Sequence, residues 1–384
     1  MDAAFIYGKP VTGRSNIGRK AECKAVANLL AQGENIVIYE PPKAGKTSLV
    51  QQSLMNMKSS GTVFTTVSLS FLDTRSIKDL LVRLGSEIIK AVSSSPADFG
   101  VLVSELLPGT HFVFDPRLFE TGGEVISPNW EIDDDDIRAV FSLPYRAARK
   151  KGQRMFVIID EFQNTMLTED GYHVCKKMEE VFAGLSPEEK ASATYIFMGS
   201  QVNAMYEIFG TKRFFFRQAE RIKLGEIDTN EIIEHVIHGF LLTGKVIDRE
   251  LLMGVCKLFR CNIWYINHFS AICDSLTKGY IMEPVLAEAL AMLISIHEPR
   301  FVATMNDLTT FQVRMLRAIL DGHSKFTSTE VIESYGLNSS ANVRRLRDAL
   351  CKKEVVFFDE SGKAQVLDPL FEYWARRFYF KMKI

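Results

Sequence analysis

Three side chains suggest chemistry on a phosphate group: Lys46, Asp160 and Glu161. Lys46 lies in the run Glu40-Pro41-Pro42-Lys43-Ala44-Gly45-Lys46-Thr47, which aligns with the phosphate-loop pattern GxxxxGK[ST]. A glycine at position 45 lets the backbone wrap close to an anion with no Cβ in the way. The segment Pro42, Lys43, Ala44, Gly45, Lys46, Thr47 and Ser48 would then form a cradle whose amide N–H groups lead into a helix. Lys46 would lend a positive charge to the β- and γ-phosphates, and the Thr47 hydroxyl would ligate Mg2+. Glu40 stands where the pattern has its first glycine. It brings a carboxylate near a polyanion unless the side chain points elsewhere.

Asp160 and Glu161 close the run MFVIIDEFQ, Met155 to Gln163. Asp160 is placed to hold the magnesium shell together with Thr47, and Glu161 to polarise an attacking water. Adjacent carboxylates also end strands at solvent edges without any role. Here they follow an apolar strand, lie downstream of a GKT, and are separated from it by another strand. That order favours nucleotide binding.

These residues need a frame. Cys23, Val26, Ala27 and Leu30 recur at helical spacing over Lys20 to Ala31. NIVIYE reads as a strand, SLVQQSLMNMK as a helix, Thr62 to Leu69 as a strand and Ile77 to Val92 as a helix. The stretch Ser93 to Asp136 reads as an insertion with a small hairpin around GTHFVF and GEVIS. Its closing run, Asp133 to Asp136, suits a helix N-terminus through the macrodipole. A fourth strand is expected at Ala193 to Gly199 and a fifth at Arg221 to Leu224. Strands alternating with helices imply an α/β core with an open parallel sheet. From Asp228 to Pro299 the pattern is wholly helical. From Asp307, three helices and a hairpin turning at Gly362 predict a winged helix-turn-helix. The expected division is a P-loop ATPase domain at 1–226, a helical lid at 227–303 and a winged helix at 304–384.

The chain has 384 residues, enough for two or three domains, and 47% of them are hydrophobic. A net charge of -1 gives no global pull toward nucleic acid or membrane. Six scattered cysteines without a CxxC pair suit a reducing compartment. Neither a signal peptide nor a membrane-length apolar run is visible, so a cytoplasmic location is expected. The seven histidines show no metal-ligand spacing.

Several boxes together resemble the archaeal-type and Bacteroides-type AAA+ ATPases of the STAND-related group. They are Gly8, Pro10, Val11 and Gly13 followed by Ile17-Gly18-Arg19 and Glu22; Tyr39 to Leu49; Asp160 to Gln163; and Met198 to Gln201. FFFRQAERIKL, Phe214 to Leu224, and LDPLFEYW, Leu367 to Trp374, complete the set. The resemblance spans nearly the whole chain outside the insertion. It implies that Val11, Ile17, Gly18 and Arg19 flank an adenine, and that Ser200 or Gln201 senses the γ-phosphate. It also implies that Arg217, with Arg213 second, acts as an arginine finger, an effect on the order of 10³-fold in rate. The group's GxP lid turn is replaced by Cys261-Asn262-Ile263. Trp264 and Tyr265 beside it are therefore expected to pack helices.

The leading expectation is an ATPase using ATP/ADP and Mg2+ as a conformational switch. The alternatives are a nucleotide-locked module with little turnover, whose output is a protein contact or self-association, and a DNA-binding regulator. In the last, Arg344, Arg345 and Arg347 would reach DNA from the winged helix. The weakly basic C-terminal stretch leaves an intramolecular or protein contact open for the same residues. The C-terminal RRFYFKMK reads as a docking segment, and no membrane partner is expected.

Overall fold

The computed structural model describes residues 4–211, 213–359 and 361–383, which divide into two compact units.

The first unit comprises Lys20–Glu40 and Lys46–Leu224. It opens with α1 (Lys20–Gln32), β1 (Ile36–Tyr39), α2 (Lys46–Ser59), β2 (Phe64–Ser70) and α3 (Ile77–Val92). The expected insertion follows as α4 (Pro96–Leu106), β3 (Phe112–Val113), α5 (Pro116–Gly122) and β4 (Ser127–Pro128). Then come α6 (Asp134–Lys151), β5 (Arg154–Asp160), α7 (Gly171–Gly184), α8 (Pro187–Ser192), β6 (Ala193–Gly199), α9 (Val202–Phe209) and β7 (Glu220–Arg221).

The sheet is parallel, in the order β2-β5-β6-β1-β7. Every residue of β1 and β6 is buried, as is the interior of β5. Such unbroken apolar runs are what a sheet covered on both faces demands. The register pairs Tyr39 with Gly199 and Ser70 with Asp160. The ends of β1, β5 and β6 therefore open on one edge, where open parallel sheets place their ligands. β6 lies between β1 and β5.

The expected fifth strand shrinks to Glu220–Arg221, paired with Ile36 and Val37. Its continuation is bonded differently: Ile222 N donates to Val37 O, but Leu224 N donates to the Glu40 carboxylate. A side chain there takes the place of a neighbouring strand.

In the insertion, β3 and β4 form the expected hairpin, with α5 inserted between them. The acidic run caps α6. Asp133 and Asp136 form a capping box. The buried Asp136 carboxylate accepts from His111 N (2.8 Å), Asp133 N (3.0 Å) and His111 Nδ1 (2.9 Å). His111, Asp133 and Asp136 thus lie within metal-ligand reach of one another, a grouping that spacing in the sequence does not disclose. The Asp136 oxygens are already engaged by N–H donors.

The second unit includes the N-terminal segment to Arg19, Pro41–Gly45, and the chain from Gly225 onward. Its helical part has α10 (Thr229–Leu242), α11 (Arg249–Leu258), α12 (Ile263–Leu276) and α13 (Glu283–Asn306). The expectation of a wholly helical stretch needs one correction. β8 (Val246–Ile247) and β9 (Tyr280–Ile281) pair in parallel, because the chain extends briefly before α11 and α13. The winged helix follows as α14 (Thr310–Leu320), α15 (Thr329–Tyr335) and α16 (Ser340–Lys352), with the hairpin β10 (Val356–Phe358) and β11 (Ala364–Val366). Gly362 takes φ +81° in the hairpin turn, where a side chain would be strained. α17 (Pro369–Trp374) closes the unit. One buried core runs from Phe5 through Phe259, Phe301 and Leu346 to Trp374, so the helical segment and the winged helix are packed as one body. No helix among the described residues is long and apolar enough to cross a membrane.

Removing the Asp136 carboxylate strands two backbone N–H groups and the His111 ring. Asp136→Ala should destabilise the protein by about 1 kcal/mol, the usual loss when a helix cap is removed. Urea denaturation will measure it, and a change of a few tenths would contradict this account of the cap.

Candidate active site

At the sheet edge, α2 starts with Lys46, whose side chain is only 7% exposed. Its Nζ donates to the Glu40 carbonyl at 2.7 Å. Burial pushes the ammonium below the usual lysine range, while Glu161, Asp160 and Glu40 hold its charge in place. The Glu40 side chain, the departure from the glycine pattern, is turned to Leu224 N at 3.2 Å.

Asp160 ends β5, and its Oδ1 accepts from Glu161 N at 3.0 Å. Burial, then the like charge of Glu161, raises its pKa, with Lys46 opposing. A carboxylate in that condition gains from a divalent cation beside it. Asp160, with Thr47 in the first turn of α2, is the donor set that could hold one.

Glu161 adopts φ 54°, a left-handed conformation that costs a non-glycine residue roughly 1–2 kcal/mol. Three bonds around it fix the bend. Phe71 N donates to Asp160 O (2.8 Å), Asn164 N donates to Glu161 O (3.0 Å), and Asn164 Nδ2 donates to Phe71 O (3.1 Å). Strain held by its surroundings is commonest at functional positions. The Glu161 Oε2 accepts from Ser200 Oγ at 2.7 Å and from Gln163 Nε2 at 2.5 Å.

Of the two γ-phosphate sensors expected, the structure brings Ser200 into this cluster. Gln201 is exposed at the start of α9. Arg213 is exposed, bonds Glu207 at 2.8 Å and covers the Tyr172 ring. Arg217 is exposed at φ 59°, over the Phe216 ring. Both arginines stand outside the Lys46–Asp160–Glu161 group. Phe214 and Phe215 of the same run are core residues. The type and spacing of Gln163 assign it no role in the sequence, and its bond to Glu161 shows only once the bend is built.

In the second unit, Gly18 has φ +64° and sits where a Cβ would fall 2.8 Å from Ile227. Arg19 Nη1 donates to Gly225 O. Ile17 packs on the core of this unit, and Val11 is half-buried. These contacts give Gly18 and Arg19 a structural part beside any contact with a base.

Arg260 and Cys261 both take positive φ in the lid turn, so the bend forms without glycine. Asn262 caps α12 through the amides of Trp264 and Tyr265. Tyr265 is buried, as expected of a packing aromatic. Trp264 carries the Lys43 ammonium 3.7 Å above its ring centroid. This contact between residues 221 positions apart is invisible to spacing. Arg300 Nη2 donates to Asp368 Oδ2 at 2.6 Å and to the Tyr265 hydroxyl at 3.0 Å.

On the winged helix, Arg344, Arg345 and Lys352 are exposed. Arg347 instead lies over the Phe358 ring at 4.1 Å, and Lys353 bonds Asp307. In the C-terminal RRFYFKMK run, Arg376 pairs with Glu372.

Comparison with known proteins agrees with this architecture. A family model described as "probable winged helix domain" matches residues 299–377. The whole chain resembles a Walker-type ATPase of Pyrococcus abyssi with a TM-score of 0.63 and 14% identity, over 95% of this chain and 98% of that one. It also resembles the ORC2 protein of Aeropyrum pernix in its ADP form, with a TM-score of 0.55 and 15% identity, over 99% and 98% of the two chains. The same protein in ADPNP–ADP complexes gives 0.51 and 12%, over 93% of each. A search of curated proteins returned no match. The fold is therefore the one these structures share: an α/β core with a parallel sheet, followed by a C-terminal winged helix. At these identities the likeness extends to fold alone.

The His297 ring, with Nε2 buried and unpartnered among the described residues, has its pKa lowered to about 4 by burial, Lys43 and Arg300. Unfolded, the ring takes a proton near the ordinary histidine value of about 6.5, so its contribution to stability is full above that pH and is lost as pH falls toward 4. His297→Leu should flatten the pH dependence of the thermal midpoint between those values, relative to wild type. Parallel curves would contradict the assignment.

Proposed function

We propose that the chain binds ATP and ADP with Mg2+ and hydrolyses ATP, using cleavage as a conformational switch. The observation that carries this reading is the buried Lys46 ammonium, balanced by Asp160 and Glu161 beside Ser200 at one sheet edge. Lys46 neutralises charge on the β- and γ-phosphates. Thr47 and Asp160 hold Mg2+, which supplies further positive charge to the phosphate oxygens. Glu161 accepts the proton of the attacking water. Ser200 registers the γ-phosphate, and Arg217 is left to act across an interface with a second copy or another protein.

The nucleotide-bound forms of the Aeropyrum pernix relative support the cofactor assignment. The opening and closing boxes support membership of the STAND-related group, and the six free cysteines support a cytoplasmic location. The working division is 1–226 for the ATPase core, 227–303 for the lid and 304–384 for the winged helix. The shared core of the last two supports their moving together.

The replacement of the group's GxP turn by Cys261-Asn262-Ile263 favours a second reading, a nucleotide-locked module that turns over slowly. Phosphate release separates the two. Glu161→Gln should lower kcat about 10²- to 10⁴-fold, the range for loss of a general base, with ADP affinity retained. Wild-type release at background under every partner and DNA condition would end the hydrolytic reading.

A DNA partner is supported by Arg344 and Arg345, which face solvent on α16. Retention on duplex DNA should fall with salt and weaken when both are changed to alanine. Indifference to those changes would end the DNA reading.

A further inference from the structure

We infer that Gln163 is the positioning residue for the Glu161 carboxylate, holding it by Oε2 so that Oε1 is the oxygen left to take a proton from water. The assignment rests on the reading of Glu161 as the water-activating base.

The local geometry leads there in three steps. β5 ends in the left-handed Glu161, and a 3-10 turn over Phe162–Leu167 follows. That bend brings the side chain of the residue two positions on back against the carboxylate. Gln163 is 3% exposed, and its Nε2 lies 2.5 Å from Glu161 Oε2. The amide cannot be reversed at this place, because an amide oxygen facing a carboxylate oxygen would repel it.

The amide's own oxygen is buried without a hydrogen-bond partner among the described residues. Burying half an amide unsatisfied is unfavourable, and an apolar side chain of the same length would avoid the cost. The charge-assisted bond to Glu161 is the compensation that this position offers.

Space for the amide comes from β6. A Cβ on Gly199 would fall 2.5 Å from Gln163 Oε1, so glycine at the end of that strand keeps the slot open. Ser200, the next residue, places its hydroxyl on the same Oε2 at 2.7 Å. With the Ser200 amide N–H on that oxygen as well, at 3.4 Å, three donors fix the rotation of the carboxylate and leave the other oxygen as the base.

Gln163→Met keeps the side-chain length and removes the donor. Gln163→Asn keeps an amide that is one methylene too short to reach. Both should lower kcat about 10²-fold, the loss that follows a small misplacement of a reacting group. The KM for ATP and the affinity for ADP should stay within about twofold, as expected when only transition-state stabilisation is lost. A second measurement needs no turnover: a double-mutant cycle of Gln163→Met and Glu161→Ala on the nucleotide-free protein, read by urea denaturation. The double variant should be no less stable than the weaker single one. Additive losses in the cycle, or an unchanged kcat in the two Gln163 variants, would overturn the assignment. A wild type that releases no phosphate removes the hydrolytic reading, and with it the base this residue would position. Coupling in the cycle would then still establish that Gln163 holds Glu161.

Discussion

A lysine ammonium withdrawn from water must find negative charge close by or give up its proton. Lys46 meets this constraint at the mouth of the sheet, and much of the first unit follows from it. Its charge is held by Glu161 and Asp160 against the pull of burial. Those two residues end β5, while Lys46 begins the helix after β1. Strand order and register must therefore bring the ends of non-adjacent strands to one edge, with β6 between them carrying Ser200. An unscreened carboxylate pair would be costly there, and the same pair with a lysine and a metal would not.

How Glu161 is held adds a second layer. A side chain in a left-handed bend, tied by one oxygen to three donors, has few rotamers left. Preorganisation of that kind avoids reorganisation at the moment of reaction. It also limits how readily the carboxylate can swing.

The second unit has its own economy. Asp368 both caps α17 and bonds Arg300 and Tyr265, and Arg260 of the lid turn reaches the Val366 carbonyl of β11 at 2.7 Å. The helical segment and the winged helix thus share polar bonds as well as a core.

Much of this was legible in the residues alone. Lys46, Asp160 and Glu161 announced themselves because their chemistry depends on local spacing: a glycine before a lysine, and carboxylates ending an apolar strand. The hairpin of the insertion and the acidic run at the start of α6 were readable for the same reason, although the capping box that Asp133 and Asp136 form was not. Long-range bonds were not. Glu40 finds its donor 184 positions away, at Leu224, and Trp264 finds Lys43. Ser200 and Gln201 were equivalent on paper, and only the turn at the end of β6 decides which side chain meets Glu161. Arg347 looked like its exposed neighbours until Phe358 packed beneath it. The central claim is tested most directly by isothermal titration of Mg-ATP and Mg-ADP into the wild type and into Lys46→Ala. The account predicts saturable uptake by the wild type, weakened at least tenfold when the ammonium is removed. Absence of uptake by well-folded wild type, or equal affinity in the variant, would contradict it.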